Sequence, residues 1–113
     1  PPLLWKSSEQ KIIKLDTEGF VLGLQNDSEY QCGQIQLNEN DTILYYTDGV
    51  TDSSNSLGER FDEERLIKSF SKLCQQSLKS KEILNNIFKT LDEFTGKHRQ
   101  LEDDASMVVF KLD

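Results

Sequence analysis

Several features that would announce a particular chemistry are scarce or missing in this sequence of 113 residues. The only two cysteines, Cys32 and Cys74, lie far apart without metal-ligand or redox spacing. That excludes a disulfide framework or a zinc finger and leaves two reduced thiols, as in a cytoplasmic protein, with a Cys32–Cys74 bridge as the alternative. There is one histidine, His98, flanked by Lys97 and Arg99 in a polar connection, so no Ser-His-Asp or Cys-His arrangement can be built, and no glycine loop has phosphate-cradling spacing. No apolar run reaches the roughly 18 residues a membrane helix needs, so the segment reads as soluble and without membrane contact. Bases are the minority, with 13 Lys and Arg against 20 Asp and Glu and a formal charge of −7. That excludes an electrostatic footprint for nucleic acid and points to cations or basic partners.

What is present is the pattern of an α+β layer. Leu3-Leu4-Trp5-Lys6 and Lys11-Ile12-Ile13-Lys14-Leu15 read as a hairpin, and Thr17 to Leu24 as a bent loop broken by Gly19 and Gly23. Tyr30 to Leu37 reads as a strand whose alternation slips at Gly33, as a bulge would cause. It is joined through Asn38-Glu39-Asn40-Asp41 in a hairpin to Thr42-Ile43-Leu44-Tyr45-Tyr46, which is apolar on both parities and hence buried on both faces. Phe61, Leu66, Ile67, Phe70 and Leu73 recur at helical spacing behind Asp62 as N-cap. A second amphipathic helix runs from Ser80, its candidate cap, to Phe94, and Ala105 to Leu112 is a last strand. The expectation is an antiparallel sheet with two helices packed on one face.

Two groups of acids abut buried strands: Asp48 where one strand exits, followed by Asp52, and Asp103-Asp104 where the last strand enters. Taken alone, Asp48-Gly49 is turn chemistry, with glycine supplying a positive φ, and Asp103-Asp104 is a solvated loop end. If the two strands are neighbours, the carboxylates meet at one end of the sheet. There they repel one another unless a hard divalent ion such as Mg²⁺ or Mn²⁺ lies among them.

Five stretches in order resemble the C-terminal portion of a bacterial metal-dependent Ser/Thr protein phosphatase, of the type 2C superfamily and its sporulation stage II E/sigma-regulator branch. They are Pro1-Pro2-Leu3-Leu4, Gly19-Phe20-Val21-Leu22-Gly23, Tyr46-Thr47-Asp48-Gly49-Val50, Phe61-Asp62-Glu63-Glu64-Arg65-Leu66 and Asp103-Asp104-Ala105-Ser106. The resemblance implies a four-layer α-β-β-α sandwich of which residues 1–113 are the C-terminal part of a single domain, its upstream half absent. It implies two Mn²⁺ or Mg²⁺ ions held by Asp48 and Asp103 as metal ligands, with Asp104, Thr47, Gly49 and Asp52 supporting. It further implies hydrolysis of phosphoserine or phosphothreonine by metal-activated water, with no catalytic side chain beyond the ligands. The implied partner is a phosphorylated regulatory protein of the anti-sigma-factor-antagonist type, in sigma-factor partner switching. The sequence departs from the family pattern in several places: Glu39-Asn40-Asp41 stands for Pro-Gly-Asp, Asp62 for a helix-opening glycine, Ser106 for threonine, and Asp52 for a frequent glutamate. Without the upstream ligands this segment is expected to be inactive and to bind at most one cation weakly, and the face left by the missing half would be open to dimerisation. The competing reading is a non-catalytic, protein-binding regulatory module of the same fold.

Overall fold

The structure is a computed structural model and describes residues 2–15, 21–23, 34–96 and 105–112. Its elements are β1 (Leu3–Lys6), β2 (Lys11–Lys14), β3 (Val21–Gly23), β4 (Gln34–Gln36), β5 (Thr42–Tyr46), α1 (Asp48–Thr51), α2 (Asp62–Cys74), α3 (Ser80–Thr95) and β6 (Met107–Lys111). Four strands form one antiparallel sheet in the order β2-β1-β5-β6. The two strand ends that carry the candidate acids are therefore neighbours, with Tyr46 opposite Met107.

The side-chain alternation of a strand divides the apolar residues between the two faces of this sheet. Leu3, Trp5, Leu44 and Met107 face the helices and join Leu66 and Phe70 of α2 and Ile83, Ile87 and Leu91 of α3 in the main core. In α3 the buried residues recur every four positions, a stripe that fixes which side of the helix lies on the sheet. Arg65 stacks on the Phe94 ring at 4.7 Å and Phe61 meets the same ring edge-on, joining the start of α2 to the end of α3. Leu4 and Ile43 point the other way and bury with Leu15 in a second, smaller cluster. Further along that face Tyr45, Val108 and Phe110 are exposed, Phe110 to 61%. β5 is thus covered on both sides at Thr42, Ile43 and Leu44, and the expectation of burial on both faces fails at Tyr45.

The hairpin expected between the strand ending near Leu37 and Thr42–Tyr46 does not form. β4 pairs in parallel with β3, which occupies part of the stretch read as a bent loop, while β5 takes β1 and β6 as partners. The turn between them serves a different purpose. Asn40 takes a left-handed conformation at φ 70, which Asn tolerates where most residues do not and where the family pattern has glycine. The chain then buries Asp41, whose Oδ2 accepts from Lys6 Nζ at 2.7 Å and from the Asn38 N–H at 2.8 Å, and whose Oδ1 accepts from the Ser7 N–H at 2.9 Å. A residue read as turn chemistry thus ties the β1–β2 turn to the entry of β5. Burial pulls the Asp41 pKa upward, but the Lys6 ammonium and the two backbone donors outweigh it and hold the carboxyl below its ordinary value.

The helix caps fall one residue from their expected places. Phe61 rather than Asp62 stands at the N-cap of α2, and Lys79 rather than Ser80 at that of α3, where its N–H donates to Glu82 Oε1. Asp62 opens α2 at φ 63, a conformation costly for any residue with a Cβ and eased by its Oδ1 accepting from the Glu64 N–H at 2.7 Å. The glycine of the family pattern is accounted for by that angle. Asp62→Ala keeps the Cβ and loses the hydrogen bond, so it is expected to lower stability by about 1 kcal/mol. Asp62→Gly loses the bond but relieves the angle and should leave stability within about 0.5 kcal/mol of the starting value. Urea unfolding of the two variants checks the order; equal losses would discount the backbone angle.

Cys74 is a half-buried free thiol on α2, pushed up to about 12 by burial and therefore held as the thiol. Cys32 lies outside the described residues, as do the bulge expected at Gly33 and His98. Among the described residues no helix is long and apolar enough to cross a membrane.

Candidate functional site

β5 stops at Tyr46, and within one residue the chain turns into the short helix α1. Thr47 makes that change: it keeps extended angles, φ −97 and ψ 164, while its carbonyl already accepts from the Val50 N–H at 3.0 Å. Asp48 is the first helical residue, and its carbonyl accepts from the Asp52 N–H at 2.8 Å. Val50, fully buried in the main core, pins the helix, and Ser53 Oγ donates to the Gly49 carbonyl at 2.6 Å. Gly49 therefore lies inside a helical turn. The positive-φ glycines among the described residues are Gly58 and Gly96, so the positive φ expected at Gly49 is not found. A buried Val50 one position later decides for helix, because only that path returns the valine to the core.

The Asp48 side chain is exposed at the start of α1, where the helix end favours a negative charge, and among the described residues it makes no ion pair. Asp52 lies at the other end of the same turn, with its Oδ1 3.7 Å from Arg60 Nη1 and both groups largely in water. Such a pair contributes little to stability. Thr47 is held across the sheet by Ser106: its N–H donates to the Ser106 carbonyl at 3.1 Å, and its Oγ1 accepts from the Ser106 N–H at 3.0 Å. Asp103 and Asp104, the other expected carboxylates, lie outside the described residues.

Beneath the site, Tyr46 Oη donates to Glu63 Oε2 at 3.1 Å, and Lys14 Nζ lies 2.9 Å from Glu63 Oε1. This chain joins β5, β2 and the first turn of α2. Burial first, then the Glu63 hydrogen bond and the Glu63 and Asp48 charges, push the Tyr46 phenol up to about 12, while the hydrogen bond from Lys14 leads in holding Glu63 low. Sequence reading missed this network, although Tyr46 falls on the helix-facing parity of β5 and Glu63 on the first turn of α2.

Chemically, Asp48 offers hard carboxylate oxygens of the kind Mg²⁺ and Mn²⁺ prefer. It has no competing ion pair among the described residues and sits on a backbone pinned from three sides. It fits the role of a ligand. Among the described residues, however, no group of three or more His, Cys, Asp or Glu is assembled.

An antiparallel sheet carrying a helix pair on one face, with an acid at the exit of a central strand, agrees with the α+β fold expected of a PP2C-type phosphatase domain. Comparisons with known proteins agree. The profile of the Stage II sporulation protein E (SpoIIE) family matches residues 1–113, and the chain belongs to that family. The phosphoserine phosphatase RsbU of Bacillus subtilis (strain 168) is 27% identical over 113 residues, covering 98% of this chain and 32% of RsbU. Among solved structures, the SiaA-PP2C domain of Pseudomonas aeruginosa matches with a TM-score of 0.61 at 28% identity, over 70% of this chain and 31% of that one. The chain thus spans about a third of the length of each relative.

Proposed function

We propose that residues 1–113 are the C-terminal part of a single metal-dependent protein serine/threonine phosphatase domain, acting in the cytoplasm on a phosphorylated regulatory protein in partner switching. The observation that carries this reading is Asp48, exposed and free of ion pairs among the described residues, at the rigid exit of a central strand that neighbours β6. The names of RsbU, a phosphoserine phosphatase, and of the SiaA-PP2C domain support the class of reaction.

In this reading Asp48 is one metal ligand, and Asp103, with Asp104 beside it, joins from the segment leading into β6. When bound, two Mn²⁺ or Mg²⁺ ions lower the pKa of the attacking water and neutralise charge on the phosphate oxygens. The chain's own part is to hold Asp48 in place: Val50 anchors α1 in the core, and Thr47 and Ser53 tie its two ends. Asp52, engaged with Arg60, has a supporting place at the far end of the turn. The exposed face bearing Tyr45, Val108 and Phe110 is where the upstream sheet of the same domain packs, and in its absence it offers a surface for a second copy.

Two measurements test this. The intact domain should hydrolyse a phosphoserine peptide with Mn²⁺ present and lose that activity on chelation; a rate that survives chelation overturns the metal dependence, and no rate with metal restored overturns the phosphatase reading in favour of a binding module. Residues 1–113 alone should show at most one weak site in a calorimetric Mn²⁺ titration and no turnover. A tight two-ion isotherm would refute the division of the ligands.

A further inference from the structure

Resting on the phosphatase reading, we propose that Thr47 is a positioning residue for the Asp48 carboxylate, acting through the Ser106 N–H. Opposite residues at a hydrogen-bonded position of an antiparallel ladder exchange two bonds, each N–H meeting the other's carbonyl. At the last step of the β5–β6 ladder this exchange is altered. The Thr47 N–H meets the Ser106 carbonyl in the ordinary way, at 3.1 Å, but the Thr47 carbonyl accepts from the Val50 N–H at 3.0 Å to begin α1. The Ser106 N–H donates instead to the Thr47 hydroxyl, at 3.0 Å.

One side chain thus replaces the backbone acceptor that the sheet gives up to the helix. This lets the strand end and the helix begin on the same residue, so that Asp48 follows directly on a paired ladder position. A helix of four residues is too short to hold its own shape. Its far end is secured by Val50 and Ser53, and its near end, where Asp48 sits, by Thr47. Removing the hydroxyl frees the Ser106 N–H and the strand end together, and Asp48 loses its fixed place relative to the chain entering β6. Serine supplies the same acceptor; valine keeps the branched shape without it.

The test uses the intact domain with Mn²⁺ as probe. Thr47→Val and Thr47→Ala, which delete the acceptor with and without the branched shape, are expected to weaken Mn²⁺ binding by about tenfold or more in calorimetry, the range seen when a partner of a metal ligand is lost. Both should speed amide exchange at Ser106, and Thr47→Ser should restore affinity and protection. Wild-type Mn²⁺ affinity in either folded acceptor-less variant, or unchanged exchange at Ser106, overturns the positioning role and leaves the phosphatase reading standing. Failure of the unsubstituted domain to bind Mn²⁺ overturns both.

Discussion

Asp41→Ala is expected to lower the stability of the protein by about 3–5 kcal/mol, the cost of removing one partner from a buried ion pair. The Asp41 side chain is fully buried and that of Lys6 nearly so, at 12% exposure, so the alanine variant takes the Asp41 carboxylate away from an ammonium group with little access to water. It also leaves the Ser7 and Asn38 N–H groups without their acceptor. Against a typical total of about 5–15 kcal/mol for a small domain, such a loss is large enough to populate the unfolded state. Replacing both charges, as in Lys6→Met with Asp41→Leu, removes the buried cation but not the two stranded N–H groups, and recovers only part of the loss. Urea unfolding of the two variants measures the difference. A loss below about 1 kcal/mol in Asp41→Ala would mean that the turn, not the carboxylate, holds β5 to the β1–β2 hairpin.

The same group sets an acid limit. Its folded pKa lies below the unfolded value of about 3.9. The unfolded chain therefore takes up the proton first, and the stability Asp41 contributes is complete above that value. It is lost as pH falls from there through the folded pKa. Asp41→Asn should have lower stability at neutral pH and a flatter decline as pH falls below the unfolded carboxyl pKa than the unsubstituted protein. Parallel acid limbs in the two proteins would discount this linkage.

Asp48→Asn is expected to lower phosphoserine hydrolysis by the intact domain about a thousandfold or more, near 4 kcal/mol of transition-state stabilisation, with hardly any effect on folding. The change is isosteric, and the side chain is exposed and without an ion pair among the described residues, so stability should stay within about 0.5 kcal/mol. Steady-state kinetics with saturating Mn²⁺, read beside a thermal melt, separates the two effects. Full activity in a folded Asp48→Asn domain removes Asp48 from the ligand set. Asp52→Asn serves as the comparison: it disturbs only a loose surface pair with Arg60 and should cost less than about tenfold in rate.

The amino-acid order by itself determined the elements that announce themselves over a few residues. The β1–β2 hairpin, β5, both long helices and β6 are legible because a strand or amphipathic helix writes its period into neighbouring positions. Asp48 was legible as a candidate for the same reason, an acid placed where an apolar strand stops. The tertiary structure decided what depends on partners distant in the chain. β4 pairs with β3 and not with β5, because Asn40 and Asp41 turn the chain into a sheet in which β5 lies between β1 and β6. Asp41 became a buried anchor because Lys6 and Ser7, more than thirty positions away, point at it. Gly49 entered a helix because Val50 had a core to reach. The role of the Thr47 hydroxyl exists only once Ser106 lies opposite, 59 positions along the chain. Local periodicity reports which face of an element is apolar; which surface meets that face, and which polar groups are carried inside with it, is settled when the elements close on one another.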